Sequence, residues 1–201
     1  MEKVISKAER TRNFIIESTA EIFNKKGYAG TSLSDLTDAT GLTKGSIYGN
    51  FENKEEVATA AFDHNLALIT QRITGLIEKQ ETYYDKLLVY AKVYKNVSRG
   101  TAANRGGCPI LNTATEADDT NTMLKLRAAK AVINWEKRIT DLINGGIAAG
   151  EFKQDVNVRQ TALSIIALIE GGVMISRVTG DTTSMDTITN TIEALIHQMK
   201  K

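Results

Sequence analysis

Residues 31–54, TSLSDLTDATGLTKGSIYGNFENK, constrain the fold more than any other part of the chain. They read as two short helices joined by a tight turn. Ser32 stands at the N-cap of the first helix, and Asp35, three residues on, completes a capping-box-like pair. Leu33, Leu36 and Ala39 recur at helical spacing and form its expected inward stripe. Gly41 supplies the turn, since a residue without a Cβ adopts a left-handed backbone cheaply. Leu42 fills the angle between the helices. Thr43 caps a second helix expected to run from Lys44 to about Phe51, with Ile47 and Phe51 facing inward at i and i+4. Lys44, Ser46, Tyr48 and Asn50 are left to face outward. This is the format of a helix-turn-helix, whose second helix sends small and hydrogen-bonding side chains into the major groove of DNA.

The rest of the composition agrees with a helical protein. In 201 residues there is one Pro and few aromatics, and good helix formers are abundant. A formal charge of +1 excludes a polybasic, histone-like binder. Charge placement is more informative. Lys3, Lys7, Arg10, Arg12, Lys25, Lys26, Lys44 and Lys54 gather in the first quarter, diluted by Glu9, Glu17, Glu21, Asp35 and Asp38. By composition alone this is either an ordinary mixed-charge surface or a phosphate-facing one. The single cysteine excludes an internal disulfide framework. With no apolar leader bearing a cleavage site and no run of eighteen apolar residues, a soluble cytoplasmic protein is expected.

Beyond the helix-turn-helix, Asn53 and Glu56 mark the start of a fourth helix, with Val57, Ala60, Ala61, His64, Leu68 and Ile69 as its inner face. An amphipathic helix carrying Tyr83, Leu87, Tyr90, Ala91 and Tyr94 follows, then a loop from Ser98 to Gly107. Pro109 opens a short helix. A long helix spans Met123 to Ile143, with Gly145, Gly146 and Gly150 expected to end it. The last two helices are strongly apolar: one spans about Asn157 to Arg177, and the other carries Ile188, Ile192, Leu195 and Met199 at steps of four, three and four.

Chemistry-bearing motifs are sparse. His64 and His197 are isolated, and Cys108 has no Cys-x-x-Cys partner. Glu116, Asp118 and Asp119 lack the spacing of a calcium loop and read as a solvated helix end. No catalytic residue, metal ligand or cofactor site is expected.

The N-terminal segment resembles the DNA-binding domain of the TetR/AcrR family of bacterial transcriptional regulators. The likeness is carried by Phe23, Gly27 and Tyr28 before the motif, Ser32 opening the next helix, Ala39 and Gly41 in the turn, Gly45, Tyr48 and Phe51, and Lys54 at the head of the fourth helix. The position after Tyr48, usually aromatic or His in the family, is Gly49 here. The resemblance implies an all-α fold of about nine helices: a three-helix DNA-binding domain over residues 1–53 and a larger effector-binding and dimerisation domain over 54–201. It implies contact with a palindromic double-stranded operator through Ser32, Thr43, Lys44, Ser46, Tyr48 and Lys54. An effector pocket is implied among the middle helices, with Tyr90, Tyr94, Met123, Trp135, Ile139 and Glu170 as candidates, the last for a cationic or hydroxylated ligand. A four-helix dimer interface is implied through Ile165, Ile169, Gly172, Ile188, Ile192, Leu195 and Met199. The function so implied is a homodimeric repressor released from DNA by a small effector. The alternative is a constitutive or partner-controlled regulator of the same fold.

Overall fold

The computed structural model describes residues 6–99 and 106–201. Among them are nine α-helices and no strand: α1 Lys7–Gly30, α2 Leu33–Thr40, α3 Lys44–Tyr48, α4 Lys54–Ile77, α5 Tyr83–Ser98, α6 Pro109–Ala117, α7 Thr122–Ala148, α8 Val158–Thr179 and α9 Thr183–Gln198. Most of these helices begin where the sequence supplies a cap. The side chains of Ser6, Ser32, Thr43, Asn53, Thr82, Asn121 and Asn157 each accept a backbone N–H from the first turn that follows. Part of the Ser98–Gly107 loop lies outside the described residues, and with it Arg105.

Two cores organise the chain. The first gathers Ile15, Phe23, Leu36, Ile47, Phe51, Val57, Ala58 and Ala61 from α1 to the start of α4. The second begins at Phe62 and takes in the inner faces of α4 to α9. The cores therefore part inside α4, between Ala61 and Phe62, so one continuous helix belongs to both. Local details of the expected stripes change. Ala39 is exposed, and Thr40 takes the buried position with its hydroxyl donating to the Leu36 carbonyl at 2.7 Å. Leu68 points outward at 44% exposure, while Ile69 is buried.

α1 breaks at Gly27, whose φ of 72° leaves the helical region. The amides of Tyr28 and Ala29 beyond the break both donate to the Glu116 carboxylate on α6, each at 2.8 Å. Glu116 is thus a cap that ties the DNA-binding half to the body. A Cβ at Gly27 would collide with that carboxylate.

α7 continues through Gly145 and Gly146 to Ala148, past the expected end. Cβ atoms at these two positions would run into the Tyr83 and Phe152 rings, so the glycines make room for neighbours and do not stop the helix. α8 is long and apolar enough to cross a membrane, but nearly half of it is buried inside the fold. It packs on α5, α7 and α9, as a core helix does.

The expected dimer seam is largely internal. Ile165, Ile169, Ile192 and Met199 are at most 4% exposed, and Gly172 lets α8 approach Met185 of α9. Ile188 and Leu195 are half-buried against the same core. Periodicity identifies a face that must be covered, but not which helix covers it. The uncovered strip lies on the opposite side of α8: Leu163, Ala167, Met174, Ile175 and Val178, beside an unobstructed Gly171.

Candidate nucleic-acid interface and inner cavity

The turn between α2 and α3 is built as its sequence dictates. Gly41 has φ 65°, and its N–H closes α2 by donating to the Thr37 carbonyl at 2.8 Å. Ser32 and Asp35 form a complete capping box. α3 is only five residues long and stops at Gly49, short of the expected Phe51. Phe51 remains buried in the turn beyond it, its N–H donating to the Ile47 carbonyl at 3.2 Å.

The DNA-contact candidates separate into two groups. Thr43 and Lys44 are exposed at the start of α3, and Ser46 and Tyr48 are half-buried behind them. Lys44 makes no ion pair among the described residues. Ser32 and Lys54, by contrast, have structural duties. The Ser32 hydroxyl accepts from the Asp35 amide and donates to the Asp35 carboxylate at 2.9 Å. The Lys54 ammonium donates to the carbonyls of Tyr28 and Thr31 at 2.8 and 2.9 Å and sits 4.2 Å from the centre of the Tyr28 ring. Two of its three protons therefore serve the carbonyl-rich end of α1, where a cation is favoured.

Pairing also thins the basic cluster. Arg12 binds Glu56 at 2.6 Å, donates to the Asn50 carbonyl and covers the Phe51 ring. Lys25 pairs with Glu21 and Lys26 with Asp35. Asp35 is held down to about 2, first by the Lys26 hydrogen bond and then by those from Ser32. Glu56 is lowered chiefly by the Glu52 amide and next by Arg12. Lys7, Arg10 and Lys44 remain the cations of residues 6–53 with no ion pair among the described residues, and Lys54, which also has none, is held by backbone carbonyls.

A cavity of about 90 Å³ lies between α4, α5, α6 and α7. Of the pocket candidates, Tyr90, Tyr94 and Trp135 line it. Trp135 stacks on Tyr94 at 4.9 Å and lies 6.4 Å from Tyr90. The other three candidates are placed elsewhere. Met123 is 49% exposed on the outer side of α7, and Ile139 is sealed in the core away from the cavity wall. Glu170 turns to Cys108, whose thiol donates to it at 2.9 Å. Burial lifts Glu170 to about 7 and, together with Glu170 itself, lifts the Cys108 thiol well above its ordinary value. A buried thiol with little thiolate character is a poor nucleophile.

Sequence reasoning missed the α4 wall, Leu66, Thr70 and Ile73 beside Ile69, and missed Asn134 and Arg138 on α7. Their signal was present: 66, 69, 70 and 73 form a helical stripe, and 134 and 138 flank Trp135 at one-turn spacing.

A capped helix-turn-helix joined through one shared helix to a larger helical body defines the class of two-domain DNA-binding regulators. The chain belongs to the TetR family: residues 15–61 match the model for bacterial regulatory proteins of the tetR family, and residues 84–192 match the tetracyclin repressor-like C-terminal domain. A TetR-family transcriptional regulator from Cytophaga hutchinsonii is 48% identical, with a TM-score of 0.92 over 98% of both chains. The probable HTH-type transcriptional regulator ArpR of Pseudomonas putida is 28% identical over 82% of this chain and 79% of its own length. The regulator FadR from Bacillus subtilis, in complex with stearoyl-CoA, shares the fold at 20% identity and a TM-score of 0.74, over 92% of this chain and 96% of its own. This family and these relatives are transcriptional regulators, not enzymes.

Proposed function

We propose that this protein is a cytoplasmic, homodimeric repressor that binds a palindromic operator and leaves it when a small effector enters the cavity beneath Trp135. The observation that carries this reading is α4. Its first turns, through Val57, Ala58 and Ala61, belong to the core beneath the helix-turn-helix, while Ile69 and Ile73 further along form a wall of the cavity. A ligand that spreads that wall displaces the helix on which the reader is mounted, and the differential fit to the two positions sets how far the equilibrium shifts. FadR in its complex with stearoyl-CoA supports ligand binding by such a body.

On the DNA side, Thr43 and Ser46 meet the groove, and Lys44 and Tyr48 reach phosphates. Ser32 and Lys54 act mainly by holding α2 and the end of α1 in place. Dimerisation through the uncovered strip of α8 brings two α3 helices to successive major grooves on one side of the duplex. Selection of a binding site from random duplexes, followed by footprinting, tests this reading. A two-fold symmetric footprint with half-sites about one helical turn apart is expected. Failure to enrich any sequence, or protection of one half-site by a monomer, would refute it.

A further inference from the structure

The cavity has a definite chemical bias. Its lining contains one charged side chain, the Arg138 guanidinium at the rim, and no carboxylate. Arg138 makes no ion pair among the described residues. It lies close enough to Tyr90 to favour the phenolate electrostatically, against the burial that pushes that hydroxyl up to about 12. Inside, Trp135 is 5% exposed and its indole N–H is buried without an acceptor. A buried donor without a partner is costly and is satisfied by whatever acceptor enters beside it. One wall is aliphatic, from Leu66, Ile69 and Ile73, and the facing one is aromatic, from Tyr90 and Trp135. Such a slot suits a flat body. Size narrows the choice further: an apolar cavity of about 150 Å³ takes up benzene, and this one measures about 90 Å³. A single ring therefore fits once the walls yield by about two-thirds of the present volume, and a long acyl chain does not fit.

Resting on the effector reading above, we infer that the cavity takes a small monoanionic aromatic acid, its ring between the α4 wall and Trp135 and its acidic group toward Arg138 and the indole N–H. The candidacy of Glu170 implied a cationic or hydroxylated ligand. Glu170 is outside the lining and engaged with Cys108, so the cationic half of that preference gives way to an anionic one set by Arg138.

The test uses the full chain and four probes: benzoate, benzamide, benzylamine and octanoate. Binding is followed by calorimetry and by fluorescence of Trp135, the chain's one tryptophan. Benzoate should bind at least about tenfold more tightly than either neutral or cationic ring, the worth of one charge-assisted hydrogen bond. Arg138→Gln should erase that advantage while leaving benzamide binding unchanged. Trp135→Phe, read by calorimetry, should weaken benzoate and benzamide alike. Equal binding of the three rings, or benzoate selectivity that survives Arg138→Gln, overturns the inference. If benzylamine or octanoate binds best and releases the operator, the ligand class is wrong while the effector reading stands. If benzoate binds as expected but the operator complex ignores it, the site stands and release by this cavity falls. Silence of all four at millimolar concentration sinks the assignment.

Discussion

Lys44 and Lys54 carry the same charge and lie close together in sequence, yet they should fail in different ways when removed. Lys44 is exposed at the start of α3 with no ion pair among the described residues, so its charge is available to a phosphate. Loss of one phosphate contact reduces the salt dependence of binding by about 0.9, or about 1.8 for the two copies in a dimer. Between about 50 and 200 mM salt, Lys44→Ala should therefore lose about tenfold less affinity than the wild type loses. Lys54 instead gives two charge-assisted hydrogen bonds, at 2.8 and 2.9 Å, to carbonyls at the end of α1. Lys54→Met keeps much of the stem over Tyr28 but leaves both carbonyls to water. It should lower unfolding stability by about 1–3 kcal/mol, discounted toward the lower end because the site is half-exposed. Its salt slope should stay within experimental error of the wild type. Binding isotherms at four salt concentrations, beside urea unfolding curves, separate the two effects. If Lys54→Met flattens the salt slope as Lys44→Ala does and unfolds at the wild-type midpoint, the division between contact and support is wrong.

Gly27→Ala forces a Cβ into both a positive-φ backbone and the Glu116 carboxylate, and should cost about 2–3 kcal/mol in chemical unfolding; a neutral result would mean that the break in α1 is not required. Glu170 binds its proton more tightly in the fold, at about 7, than at its ordinary 4.5, so the folded state holds more protons between these values. Stability should therefore fall as pH rises through that window, by up to about 3 kcal/mol, and Glu170→Gln should flatten the profile of melting temperature against pH. Cys108→Ser retains a donor to Glu170 and should leave operator binding and its response to peroxide unchanged, whereas peroxide release confined to the wild type would reveal a redox role. Met174→Glu, on the uncovered side of α8, should shift sedimentation from dimer to monomer with the helical circular dichroism intact; a dimer that survives it would place the interface elsewhere.

What the sequence made legible was local. The Ser32–Asp35 box, the Gly41 turn, the Thr43 cap and the inward Ile47 and Phe51 all depend on neighbours within a few positions, and each stands where expected. Long-range partners were not legible. Nothing near Lys54 in sequence announces the carbonyls of Tyr28 and Thr31, and nothing near Glu116 announces the amides beyond Gly27. The same limit explains the dimer candidates. Ile165 and Ile192 reported truthfully that their faces are buried, but a helical period is equally satisfied by a neighbour in the same chain. Within the cavity, Trp135 and the two tyrosines lie on the middle helices where the family resemblance implies a pocket, while Arg138 is a charged residue on a long helix whose aim at the cavity shows only in the fold.

The brevity of α3 has a consequence for how this protein loses function. Five residues are too few to hold a helix in water, because the cost of nucleation is not recovered over so short a run. The shape presented to DNA is therefore lent to α3 by Ile47, by Phe51 and by the α1 and α4 side chains beneath them. Operator occupancy should then track the local stability of that small core, and fade on warming before the larger body melts. Temperature-sensitive variants are expected at Ile15, Phe23, Leu36 or Val57, positions that never touch DNA, more often than among the residues that do.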